Sequence, residues 1–208
     1  NMNYQPNQKL FCITGFSGYL GSELIKLFEE KKIKFIKFKI PRPTKTDRNL
    51  KSFYSRHINE FLILNRHIDT VINCAASLKP KNHKEYYFNS CFPILFQEAL
   101  FKLNEHSAFI NVSSTRIFKN SMDTYSLSKK ESEKIMFSKG KVILIYPDII
   151  LDKTKGAYND LENILSSKIP FVPVFNPGNY FYPINCSSLA EKILIISLDK
   201  IENKKKII

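Results

Sequence analysis

Three of the six glycines in this 208-residue chain fall close together, in Thr14-Gly15-Phe16-Ser17-Gly18-Tyr19-Leu20-Gly21, and their flanks restrict what the chain can become. Lys9 to Thr14 is a short, largely apolar run. From Leu20 to Lys31, the apolar residues Leu24, Ile25, Leu27 and Phe28 recur at helical spacing. The reading is strand, glycine turn, helix. Glycines in that turn permit a sharp reversal and bring backbone N–H groups close to a pyrophosphate at the positive end of the helix dipole, while the last lets helix and strand pack closely. Gly15, Phe16, Ser17, Gly18, Tyr19, Leu20 and Gly21 are therefore the first candidate binding residues.

The alternation continues. Ile33 to Ile40 reads as a second strand, stopped by Pro41-Arg42-Pro43. Asp47 to Asn65 reads as a helix and Thr70 to Ala75 as a third strand. Lys84 to Leu103 reads as a long helix in which Pro93 must sit near the start or form a kink. Ala108 to Val112 is a fourth strand, Ser126 to Ser138 a helix, and Lys141 to Tyr146 a fifth strand. Strand and helix in strict turn imply an α/β fold, a doubly wound parallel sheet covered on both faces. Beyond Pro147 the pattern loosens into a helix at Tyr158 to Ser167, a proline-rich passage from Pro170 to Pro183, a helix from Ser187 to Leu198 and a last apolar fragment at Lys206 to Ile208. The expected organisation is a nucleotide-binding domain over residues 1–150, with a short, truncated substrate-region segment over residues 151–208 packed on it.

Composition narrows the function classes. The net charge is +13, but only Arg42, Arg48, Arg56, Arg66 and Arg116 among the 32 basic residues are arginine, the residue that bidentate phosphate and base recognition favours. A nucleic-acid role is disfavoured, while a positive surface steers anionic substrates toward a cleft. No run approaches the roughly 18 apolar residues of a membrane span, and the first residues are polar, so the protein is expected in the cytoplasm. Cys12, Cys74, Cys91 and Cys186 form no CxxC pair, and no metal site is expected.

A carboxylate at the end of the second strand would bond a ribose 2′-hydroxyl, and a basic residue there would accept a 2′-phosphate. Here the segment is Phe38-Lys39-Ile40-Pro41-Arg42. Lys39 and Arg42 with no acid favour NADP, with NAD as the alternative. Tyr125 and Lys129 share one helical face in the chain's single YxxxK match. A phenol beside an ammonium can exchange a proton with a carbonyl oxygen, provided its pKa is lowered toward the working pH. Ser113, Ser114 and Thr115 follow the fourth strand and supply hydroxyls able to polarise the same carbonyl, although such clusters also form turns.

Together these motifs resemble the extended short-chain dehydrogenase/reductases over roughly residues 9 to 150. Asp69-Thr70-Val71-Ile72-Asn73-Cys74-Ala75-Ala76 is similar to the family's D-x-V-I-N-x-A-A strand. Asn89 followed by Pro93, and Ser113-Ser114-Thr115-Arg116-Ile117-Phe118, are similar to the dTDP-4-dehydrorhamnose reductase branch of the NAD-dependent epimerase/dehydratase group. The resemblance implies a Rossmann-type fold and a catalytic trio of Ser114, Tyr125 and Lys129. It further implies cofactor contacts at Cys74, Ala75, Ala76, Asn89, Lys129 and Pro147. The implied activity is that of an NAD(P)(H)-dependent reductase or epimerase acting on a nucleotide-linked or other anionic sugar. Family dehydratases carry an acidic pair after the catalytic hydroxyl, and Thr115-Arg116 has none, which disfavours dehydration. The family often forms homodimers. A non-catalytic NADP(H)-binding redox-sensing regulator stays open as the alternative.

Overall fold

The computed structural model describes residues 9–118, 122–136, 140–151, 182–199 and 205–207. Eight strands and five α-helices are formed by these residues. In chain order they are β1 (Phe11–Thr14), α1 (Tyr19–Glu30), β2 (Phe35–Phe38), α2 (Leu50–Leu64), β3 (Thr70–Asn73), α3 (His83–Leu103) and β4 (Ala108–Val112). A 3-10 turn (Thr115–Phe118) leads to α4 (Thr124–Met136), β5 (Lys141–Ile145), β6 (Ile149–Leu151), β7 (Pro183–Asn185), α5 (Cys186–Leu198) and β8 (Lys205–Ile207). Six strands pair in the order β2-β1-β3-β4-β5-β8, all parallel, and β6 pairs with β7 alone.

Residue alternation explains the layers. Side chains of successive strand residues point to opposite faces. Phe11, Ile13, Ile72, Ile110, Ile143 and Ile145 meet Leu24, Ile25 and Phe28 of α1 and Leu189, Ile193 and Leu194 of α5. Cys12, Val71 and Phe109 meet Phe53, Ile58 and Leu62 of α2 and Phe92, Phe96 and Leu100 of α3 on the other side. A parallel sheet buried on both faces needs such continuous apolar strands. The sheet is a Rossmann-type, doubly wound one.

Caps set the helix ends. Asn49 accepts the Ser52 N–H (3.0 Å) to start α2, and Asn82 accepts the Glu85 N–H (3.0 Å) to start α3. Asp123 accepts the Ser126 N–H (3.0 Å), which starts α4 two residues before the sequence reading. Lys9 donates to the carbonyls of Leu198 (2.8 Å) and Asp199 (3.1 Å), where the dipole of α5 favours a cation.

Pro93 lies mid-helix in α3 rather than near its start. Losing one backbone hydrogen bond costs about 3 kcal/mol in an isolated helix. Here Phe92, Pro93, Ile94 and Phe96 are all buried, and that packing carries the helix through. The fragment expected at Lys206 to Ile208 becomes the sixth sheet strand, whereas β6 and β7, each three residues long, fall below any periodic signal. The helix expected at Tyr158 to Ser167 lies outside the described residues, as does nearly all of the passage from Pro170 to Pro183.

Candidate active site

The glycine turn is built as tightly as its sequence implies. Gly15 has φ +68°, and a Cβ there would lie 2.5 Å from the backbone nitrogen of Ala75. A Cβ on Gly21 would lie 2.2 Å from the Gly15 carbonyl oxygen. Gly18 caps α1 with no side chain over the helix end, and its N–H bonds the Gly15 carbonyl (3.0 Å). The turn thus presses on the loop after β3 and opens the positive end of α1.

A cleft of about 1200 Å³ opens there, exceeding the roughly 300–1,000 Å³ of ordinary small-molecule sites. Of the cofactor candidates, Gly15, Phe16, Ser17, Gly18, Lys39, Arg42, Cys74, Ala75 and Ala76 line it. Leu20 and Gly21 are buried in α1 instead, and Tyr19 packs against the core. Asn89 acts at one remove. Its amide accepts from the Ser77 N–H and donates to the Ser77 carbonyl (both 2.8 Å), bracing the loop whose Ala75, Ala76 and Ser77 form the cleft wall. Pro147 accepts the Thr115 N–H (3.0 Å) and does not line the cleft.

The cleft also holds residues the sequence did not single out. Phe38, Tyr54 and Phe88 provide apolar ring surface, and Lys84 adds a third cation to Lys39 and Arg42. Glu85 lines it too, but its carboxylate is committed to the Ser77 hydroxyl, the Lys81 N–H (both 3.0 Å) and the Asn82 amide (3.2 Å). These bonds hold its pKa low.

Ser114, Tyr125 and Lys129 lie outside the lining of this cleft. Cys74, on the cleft wall, lies within electrostatic reach of Lys129. Tyr125 (6% exposed) and Lys129 (1%) are buried on one face of α4, with the Lys129 ammonium 6.0 Å from the Tyr125 ring centre. Lys129 donates to the Val112 carbonyl at the end of β4 (3.1 Å).

The three hydroxyls after β4 divide their bonds. Ser113 donates to Glu133, and Thr115 donates to Asp148 (2.9 Å). Ser114 accepts the Arg116 N–H (3.3 Å), so its own proton remains to be given. Glu133 also accepts from Tyr146 (2.9 Å) and draws the pKa of Lys129 upward. Its spacing, four residues after Lys129 and eight after Tyr125, is the signal in the sequence that puts it on their face of α4.

Burial works against both members of the pair. Desolvation pushes Tyr125 up to about 12, with Arg116 pulling the other way. Desolvation likewise pushes Lys129 down to about 8, opposed by Glu133 and Cys74. Among this chain's own groups desolvation governs the phenol, and a lowering would need an oxidised nicotinamide as well as Lys129.

A polar ladder runs beneath the site. Thr14, Asn73 and Asn111 stand in register on β1, β3 and β4. The Ala75 N–H (3.3 Å) and the Thr14 hydroxyl (2.5 Å) both reach Asn73 Oδ1, so Asn73 Nδ2 faces Asn111 Oδ1 (2.7 Å). Among the described residues no group of His, Cys, Asp and Glu side chains gathers to hold a metal, and no helix is long and apolar enough to cross a membrane.

No family model and no curated protein sequence matches the chain. Solved structures do. A dTDP-4-dehydrorhamnose reductase from Clostridium acetobutylicum superposes with a TM-score of 0.74 at 18% identity, over 95% of this chain and 73% of that one. A dTDP-4-dehydrorhamnose reductase from Bacillus anthracis, solved with NADP, gives 0.74 at 13% identity over 98% and 76%. The UDP-glucose 4-epimerase of Thermotoga maritima, solved with UDP-glucose, gives 0.72 at 13% identity over 95% and 76%. The chain has the fold of these enzymes. At such identities the likeness speaks for the architecture, and the chemistry must be argued from this chain's own residues.

Proposed function

We propose that the protein is an NADP(H)-dependent oxidoreductase, a reductase or epimerase of a nucleotide-linked or other anionic sugar, with Tyr125 as the acid/base. The observation that carries this reading is a buried Tyr125–Lys129 pair, 6.0 Å from ammonium to ring centre, in a fold that also opens a glycine-turn cleft at the α1 terminus. The residues suit a dinucleotide. Gly15 and Gly21 leave no room for a Cβ, the α1 terminus is uncapped by any side chain, and Lys39 and Arg42 on the cleft wall supply the positive charge that a 2′-phosphate would need. NAD is the second choice, because the one acid on the cleft wall, Glu85, is already bonded. Structural neighbours are solved with NADP and with NAD+, so the preference rests on Lys39 and Arg42.

When bound, the nicotinamide supplies or takes the hydride. Ser114 donates its free proton to the substrate carbonyl oxygen and holds it near Tyr125. Tyr125 then gives its phenolic proton to that oxygen as the carbon is reduced. With its pKa near 12 the resting phenol is protonated at neutral pH, so the site is poised to donate. Lys129, anchored on the Val112 carbonyl, keeps a positive charge behind the phenol.

Titration with NADPH and NADH, followed by a panel of carbonyl substrates, tests the proposal. Wild type and Tyr125→Phe should bind NADPH alike, and only wild type should turn over. Absence of nucleotide binding, or full turnover by Tyr125→Phe, would overturn it.

A further inference from the structure

The 3-10 turn after β4 is fixed at several points. The Thr115 N–H bonds the Pro147 carbonyl (3.0 Å), the Thr115 hydroxyl bonds Asp148 (2.9 Å), and Ile117 is buried. Arg116, between them, is thereby aimed at the start of α4. Its guanidinium carbon lies 5.3 Å from the centre of the Tyr125 ring, and Nη2 lies 3.2 Å from Asp123 Oδ2. Asp123 is itself held, because it caps α4 through the N–H and hydroxyl of Ser126 (3.0 and 2.7 Å).

The groups facing Tyr125 come from four places. Tyr19 comes from α1, Arg116 from the 3-10 turn, Asp123 from the cap, and Lys129 and Glu133 from α4 itself. Tyr19, Asp123 and Glu133 all oppose a phenolate. Two cations remain. The Lys129 ammonium is spent on the Val112 carbonyl and has Glu133 within electrostatic reach. Burial also brings its proton loss down to about pH 8, so its charge fades in alkaline solution. A guanidinium keeps its charge throughout, stacks on aromatic faces and is weakly hydrated.

Resting on the oxidoreductase reading of Tyr125, we infer that Arg116 is a positioning residue that holds the Tyr125 phenolate in the oxidising direction, with Asp123 fixing its guanidinium over the ring. In that direction the phenolate takes the carbinol O–H proton while the hydride passes from the same carbon to the oxidised nicotinamide. The phenol so formed returns its proton to solvent. Arg116 touches neither substrate nor hydride and acts through Tyr125.

The test reads the pair without turnover. The protein carries fluorotyrosine throughout, which lowers every phenol's pKa evenly, and fluorine NMR follows the resonance lost in Tyr125→Phe as pH is raised. Arg116→Gln and Arg116→Met should raise the Tyr125 midpoint by about one pH unit, the low end for a charge at this distance because half of the Arg116 side chain is exposed to solvent. Arg116→Lys should restore most of the shift. The rising limb of kcat/KM for oxidation, along which the phenolate forms, should move in parallel, with KM for the nucleotide unmoved. An unchanged midpoint in either folded neutral variant overturns the inference, as does a lysine variant displaced as far as the glutamine one. A protein that binds no nucleotide would defeat the oxidoreductase reading separately, since the fluorine midpoint needs none.

Discussion

Gly21→Ala separates the integrity of the fold from the integrity of the site. The added Cβ would stand 2.2 Å from the Gly15 carbonyl oxygen and 2.7 Å from Phe16 Cα, well inside ordinary contact, and what it meets is backbone. Overpacking of this kind costs about 1–3 kcal/mol. Alanine in a helix recovers about 1 kcal/mol relative to glycine. The net destabilisation should be about 0–2 kcal/mol, a fall in Tm of no more than about 8 °C for a chain of this size. The clash is relieved only if the start of α1 and the glycine turn move apart. A displacement of that size stretches a hydrogen bond from the turn to a phosphate beyond its range, and each charge-assisted bond so lost is worth about 1.5–3 kcal/mol. NADPH affinity should therefore drop about 10- to 100-fold. Thermal melts by circular dichroism and a titration of nucleotide fluorescence measure the two quantities on one sample. Affinity within about twofold of wild type would refute the steric reasoning, as would a fold lost outright.

Four further outcomes follow from the same geometry. Gly15→Ala should be worse than Gly21→Ala by about 1–2 kcal/mol, because alanine at φ +68° adds backbone strain to the contact with Ala75, and urea titration of the two variants compares them. Replacing Lys39 and Arg42 together by alanine should weaken NADPH about tenfold or more while leaving NADH nearly unchanged, so parallel titrations that fall equally would remove both residues from the 2′-phosphate site. Lys129 titrates near 8 when folded and near 10.5 when unfolded, so the unfolded chain binds more protons between those values and stability should rise with pH across that window. Urea melts of Lys129→Gln should lack that rise, and curves parallel to wild type would refute the burial argument. Asn49→Ala should cost about 1 kcal/mol by removing the α2 cap and should leave nucleotide binding untouched, which the same two assays report.

The readable parts of the fold were those set by local pattern. Glycines at 15, 18 and 21 have few uses between an apolar strand and an amphipathic helix, and the turn formed as its spacing implied. The alternation of Phe11, Cys12 and Ile13 between two cores is likewise written in β1 itself. What escaped depends on elements meeting in space. No local motif ties Arg116 to Tyr125, because its place over that ring arises when the 3-10 turn docks on α4. The four-residue spacing puts Tyr125 beside Lys129 but says nothing of the desolvation that raises the phenol, which the ammonium and an oxidised nicotinamide together would have to offset. Helix propensity leaves Pro93 either near the start of α3 or at a kink, and the burial of Phe92, Pro93, Ile94 and Phe96 keeps it mid-helix. Lys84 reaches the cleft wall because α3 starts near the glycine turn, which no local motif announces.

The strand order also bears on how the chain assembles. β5 offers Ile143, Leu144 and Ile145 for pairing on both sides, with β4 on one and β8 on the other. During synthesis β4 is already present, but residues 205–207 emerge only after the whole stretch that follows Pro147. Until then β5 is an open, apolar edge of the kind that recruits strands from other chains. Closing it requires a parallel pairing distant in sequence, which forms late because loop closure precedes any gain from contact. The ribosome and its attendant chaperones thus meet this protein as an unfinished sheet, and β8 serves as its closing seam.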